Sequence, residues 1–159
     1  VWGEEKTKTW LEGIIANDVK VYAKNTPTVE AAGAGEIEVG FVNHYYLHRF
    51  LKAETESFAA RNYFLPSGGP GSVVLVAGAG ILEASDNKEA AERFMEFMLS
   101  TTAQAYFANE VYEYPLVEDV NKSYLLPDLS TLNTPDIDIS DLGDVEATQK
   151  LLQDVGALP

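Results

Sequence analysis

Asn43, His44, Tyr45 and Tyr46 stand together where a short apolar run, Val39 to Val42, gives way to a helical pattern. A phenol offers a hard oxygen, and as a phenolate an anionic one, the donor that a small, highly charged cation such as Fe³⁺ prefers over sulfur or neutral nitrogen. Neighbouring side chains in a helix interior diverge by about 100°, so only one of two consecutive tyrosines can face a given core there. At a helix start both can converge on one point. The plainer alternative is a half-buried aromatic pair, because aromatic side chains are core formers first. Asn25 repeats the placement of Asn43 one unit earlier, ending a strand-like run just before a helix. Each amide alone serves as a turn or cap residue. Side by side at neighbouring helix starts they can donate hydrogen bonds to an anion, and with the tyrosines they suggest a site for a cation accompanied by an anion.

The elements that must position these residues alternate. Glu4 to Ala16 predicts an amphipathic helix with Trp10, Leu11, Ile14 and Ile15 on one face. Val19 to Tyr22 reads as a strand, and Thr26-Pro27 supplies a cap and a first-turn proline for a second helix ending near Gly33 and Gly35. Glu38 to Val42 is the next strand, Asn43 to about Lys52 the next helix, and Asn62 to Leu65 another strand. After the turn at Pro66 to Gly71, the apolar run Ser72 to Leu82 reads as a strand buried on both faces. Asp86 with Glu89 resembles a capping box, and Ala90, Ala91, Phe94, Phe97 and Met98 share a helical face behind it. Thr101 with Gln104 starts a further helix through about Phe107. Pro115, Pro127 and Pro135 interrupt the next stretch, and a last helix covers about Val145 to Val155. This alternation predicts an α/β fold, a mixed sheet with flanking helices.

The chain has 159 residues, a formal charge of −14 and no cysteine. Disulfides, thiolate metal sites and a cysteine nucleophile are therefore excluded. The charge is uneven: residues 1–80 carry seven Lys/Arg against nine Asp/Glu, and residues 81–159 carry four against sixteen. Nucleic acid is excluded as a partner, because such affinity rests on basic patches that neutralise phosphates. No apolar run approaches the roughly 18 residues of a membrane span.

Other candidate motifs fail on their own chemistry. His44 and His48 lie at i and i+4, one helix face, as in zinc-binding helices, but the metalloprotease pattern needs glutamate where Tyr45 stands. The stretch beginning Asp136 starts like a calcium loop yet has Asp141 where glycine belongs and Ala147 where a bidentate glutamate belongs. Gly78-Ala79-Gly80 lacks the third glycine of a dinucleotide fingerprint, and the loop at Gly68 to Gly71 has no phosphate-binding lysine. Ser67 and Ser72 lack a histidine pattern that would activate either. Nothing here argues for an enzyme.

Gly3-Glu4-Glu5, Trp10-Leu11-Glu12-Gly13, Val21-Tyr22-Ala23 with Asn25, Gly35-Glu36-Ile37 with Val39-Gly40, Asn43-His44-Tyr45-Tyr46, Pro70-Gly71-Ser72 and Glu113-Tyr114-Pro115-Leu116 run in order along nearly the whole chain. The series resembles the ferric iron-binding proteins of bacterial ABC importers, a branch of the type II extracellular solute-binding proteins. The resemblance implies a periplasmic or cell-surface, non-enzymatic protein that passes Fe³⁺ to an ABC permease. It places iron ligation on Tyr45 and Tyr46, and contact with a synergistic anion, commonly phosphate or carbonate, on Asn25 and Asn43. Relatives outside the iron branch bind polyamines, thiamine or phosphonates, so an organic cation or a phosphonate is the alternative cargo.

Complete members of that family are about twice this length and have two lobes, and the resemblance begins midway through their pattern. It therefore implies an incomplete periplasmic-binding-protein type II fold, the C-terminal half. Residues 1–74 would be the later part of the C-terminal, ligand-binding lobe, 75–126 a segment returning to the N-terminal lobe, and 127–159 the return. Ligands from the first lobe, often a histidine and a glutamate, have no counterpart here, so the chain alone need not hold the ferric ion. The missing N-terminal half is then a partner, and self-association through exposed apolar surface, or a protein–protein interaction module, is the rival of another class.

Overall fold

The computed structural model describes residues 1–158. Among them six α-helices form: α1 (Glu4–Ala16), α2 (Asn25–Ala34), α3 (Tyr45–Glu54), α4 (Lys88–Met98), α5 (Thr101–Tyr106) and α6 (Val145–Asp154). Short 3-10 turns punctuate the loops, and α5 runs directly into a π-type turn at Phe107–Val111. No helix among the described residues is long and apolar enough to cross a membrane.

The helix starts follow local chemistry, though not always at the expected residue. α2 already includes Asn25, and at its far end Gly35 takes the left-handed φ of 75°. There the Gly35 N–H donates to Ala32 O and the Glu36 N–H to Ala31 O, which satisfies the last carbonyls of the helix. α4 begins at Lys88 without a side-chain cap, so the Asp86–Glu89 box does not form. Ser100, one residue before Thr101, caps α5 by accepting the Ala103 N–H at 3.3 Å. Asp144 caps α6 by accepting the Ala147 N–H at 2.9 Å.

The strands are the correction. The runs 19–22, 38–42, 62–65 and 72–82 carry no strand among the described residues, and no mixed sheet is formed within them. A strand exists through its ladder of N–H and C=O groups bonded to a neighbour. An apolar run is only a candidate until such a neighbour lies alongside. The run 72–82, expected to be buried on both faces, is open instead: Leu75, Val76 and Leu82 are 69%, 60% and 78% exposed.

The core sits between α2 and α3. Val29, Leu47 and Phe58 are buried together, with Val42, Tyr46, Phe50, Leu51 and Ala60 packed against them. Phe50 stacks on Phe58 with ring centroids 4.8 Å apart. Gly33 makes this possible, because a Cβ there would run into the Phe58 ring. Elsewhere Trp2, Trp10 and Phe41 form an edge-to-face aromatic row beside α1.

Candidate metal and anion site

α3 starts immediately behind Asn43. His44 already has helical angles, φ −56° and ψ −34°, and the Asn43 carbonyl accepts the Tyr46 N–H at 3.3 Å. Tyr45 and Tyr46 therefore occupy the first turn, where consecutive side chains are not forced apart by a preceding turn. Their rings lie 4.6 Å apart and 30° from parallel, both half-buried. Tyr46 also packs against the core and carries the Arg49 guanidinium over its ring at 5.8 Å. Tyr46 is thus partly the core aromatic that the plainer reading describes.

The two asparagines meet. The Asn43 N–H donates to Asn25 Oδ1 at 3.1 Å, and Asn43 Nδ2 donates to the Tyr45 hydroxyl oxygen at 3.2 Å. The four residues picked out from the sequence, Asn25, Asn43, Tyr45 and Tyr46, form one continuous line of contacts at the adjoining starts of α2 and α3. Burial pushes the Tyr45 phenol above its ordinary ionisation range. The Tyr46 hydroxyl adds to that, the Asn43 amide works against it, and the Glu113 charge adds to it again. Tyr45 is therefore protonated at neutral pH, and any cation it ligates as phenolate must displace that proton.

The histidines share a helix face as their spacing requires, but that face serves a different purpose. His44, His48 and Lys52 follow one another at steps of four along α3, and all three meet the turn after α5. His44 Nε2 lies 2.7 Å from Tyr112 O, the His48 ring stacks on the Tyr112 ring at 4.3 Å, and Lys52 pairs with Glu110 at 2.8 Å. Tyr112 ends the π-type turn with a left-handed φ of 65°, which turns its carbonyl and its ring toward α3. His48 is 5% exposed and neither ring nitrogen has a hydrogen-bond partner. No group of three or more His, Cys, Asp or Glu able to hold a metal forms among the described residues.

His44 is the residue that sequence reasoning undervalued. Its ring meets Tyr45 edge-on at 5.6 Å, and Phe64 and Tyr114 at 6.1 and 5.8 Å. Its carbonyl accepts Asn62 Nδ2 at 2.9 Å. The available signal was the spacing 44, 48, 52, which marks one docked face. Its partner, 68 residues further on, could not be read from that spacing.

Residues 2–105 match the family described as bacterial extracellular solute-binding protein. The chain is 30% identical over 155 residues to the major ferric iron-binding protein of Neisseria meningitidis serogroup B, covering 97% of this chain and 46% of that protein. It is 36% identical over 129 residues to iron uptake protein A1 of Synechocystis, covering 76% of this chain and 36% of that one. The crystal structure of iron-bound HitA from Pseudomonas aeruginosa superposes with a TM-score of 0.88 at 29% identity, over 97% of this chain and 50% of that one. The chain thus spans about half the length of the curated relatives it matches. On the family match and this likeness together, the chain belongs to the bacterial extracellular solute-binding proteins.

Proposed function

We propose that this chain is the tyrosine-bearing half of a ferric iron-binding protein of an ABC importer, working outside the cytoplasm and handing Fe³⁺ to the permease. The observation that carries the reading is the Tyr45–Tyr46 pair in the first turn of α3, with the Asn43 amide on the Tyr45 oxygen. It is supported by the names of the similar proteins, which are ferric iron-binding and iron uptake proteins. Phenolates from Tyr45 and Tyr46 would neutralise two of the three charges of the cation. A synergistic anion, phosphate or carbonate, held by Asn25 and Asn43 would neutralise the rest, and closure of a second lobe would exclude water. The sheet of a type II binding protein would be completed by that other half, pairing the runs 38–42, 62–65 and 72–82. The division into 1–74, 75–126 and 127–159 belongs to the same proposal.

An organic cation held by cation–π contacts is less well served. The Tyr46 ring already carries Arg49 on a face and Tyr45 beside it, which leaves little open aromatic surface for a guest. The deciding experiment uses the full-length protein, meaning this chain with the further lobe its relatives have. Ferric iron added with phosphate is expected to produce a visible phenolate-to-iron charge-transfer band at one equivalent, and a polyamine or thiamine is expected not to compete. A colourless mixture, or displacement of the band by the organic cation, refutes the ferric reading.

A further inference from the structure

We infer that His44 is a positioning residue for the Tyr45 phenol, clasping the tyrosine pair to the turn that follows α5. The inference rests on the ferric reading of Tyr45 and Tyr46. His44 is joined on every side: Nε2 to Tyr112 O at 2.7 Å, its carbonyl to Asn62 Nδ2 at 2.9 Å, and its ring against Phe64, Tyr114 and Tyr45. The Tyr112 carbonyl can only accept, so the Nε2 contact requires a proton on that nitrogen and fixes which edge of the imidazole faces the turn. With the ring so held, its edge-on contact at 79° closes one side of Tyr45, while Tyr46 closes another at 4.6 Å and Asn43 holds the hydroxyl. A ligand oxygen at the end of a six-membered ring moves widely for a small rotation at its Cβ. A site that must meet a small cation therefore gains from a neighbour whose own rotamer is locked.

The clasp does not stand alone. His48 and Lys52, four and eight residues on, meet Tyr112 and Glu110, so the 107–112 turn lies along two turns of α3. Of the three, only His44 touches both that turn and a proposed ligand.

The test uses the full-length protein, ferric iron supplied with phosphate, and two substitutions. His44→Phe keeps a flat ring beside Tyr45 and Tyr114 but cannot donate to Tyr112 O, whereas His44→Gln keeps a donor of similar reach and lacks the ring. Ferric iron is expected to leave His44→Phe about fivefold faster, the factor carried by one neutral hydrogen bond. The charge-transfer band should move in wavelength, and His44→Gln should recover part of the release rate. A merely structural role would lower the melting temperature of both variants and leave band position and release rate in the folded protein where they were, and that result overturns the inference. If the parent itself gives no band, the ferric reading fails on its own, and the metal-free protein decides the role of His44. There the aromatic NMR signals of Tyr45 should average in His44→Phe, and less so in His44→Gln, if the Nε2 contact fixes the ring. Unchanged Tyr45 signals overturn it.

Discussion

The imidazole of His48 lies flat on the phenol ring of Tyr112, 17° from parallel, with both nitrogens buried and unbonded. Such a ring is tolerated only uncharged. Burial, and then the nearby His44 charge, hold its pKa below the ordinary value of 6.5. The unfolded chain therefore binds a proton that the folded chain refuses, from about pH 6.5 down to the lowered folded value, and stability falls as pH drops through that window. Denaturant midpoints at pH 7.5 and pH 5 should show this loss in the parent and a smaller one in His48→Phe, which keeps the stack on Tyr112. Equal losses in the two proteins would assign the pH dependence to carboxylates elsewhere.

Ferric retention should also fall on acidification, for a separate reason. The Tyr45 phenol is raised above its usual range, so in the full-length protein iron bound there, as proposed, would displace its proton and acid would favour the reverse. Tyr45→Phe and Tyr46→Phe should each weaken the visible band and lower ferric affinity by tenfold or more. The loss in folding stability should stay near the ~1 kcal/mol of a single hydrogen bond. Tyr46→Ala, by contrast, should destabilise the fold more than Tyr45→Ala, since Tyr46 packs on the Val29–Leu47–Phe58 core. Titration of both Phe variants with ferric iron, read beside thermal melts, separates ligation from packing.

For Asn25 the structure offers a cleaner substitution than alanine. Its oxygen accepts the Asn43 N–H, so Asn25→Asp keeps that acceptor and loses the amide donor. Folding stability should be retained while the dependence of iron binding on phosphate concentration flattens. Asn25→Ala should lose both, with about 1 kcal/mol of stability. Both effects should stay smaller than the loss of a tyrosine oxygen. An unchanged phosphate dependence in Asn25→Asp would remove Asn25 from the anion site.

Gly33→Ala should destabilise the chain, although alanine is the better helix former by about 1 kcal/mol. The added methyl meets the Phe58 ring, and overpacking a core costs about 1–3 kcal/mol. In a Phe58→Leu background the same change should become neutral or stabilising. Thermal unfolding of the four proteins as a double-mutant cycle measures the coupling.

Sequence periodicity located the helices because their hydrogen bonds close within the segment. α1 spans the expected Glu4–Ala16, and α4 carries the expected apolar stripe. The strands expected at 19–22, 38–42, 62–65 and 72–82 do not form among the described residues, since ladder bonds lie between segments and an apolar run such as 72–82 names no neighbour. The Asn25, Asn43, Tyr45 and Tyr46 grouping was legible because two similar junctions, each an apolar run passing into a helix, bring their first residues side by side. The roles proposed for them, as iron and anion contacts, came from family resemblance. Tyr112 escaped notice because its part depends on a left-handed backbone at the end of a π-type turn, which no local pattern announces.

The Asn25 contact also sets what kind of guest that corner can receive. With Oδ1 committed to the Asn43 N–H, the plane of the amide is pinned and its remaining polar end is the NH₂ group. A visitor arriving at that end of the amide meets hydrogens. That end is one-sided in the way a rectifier is: under the proposed function it would face the oxyanion, and the cation would turn to the oxygens of Tyr45 and Tyr46.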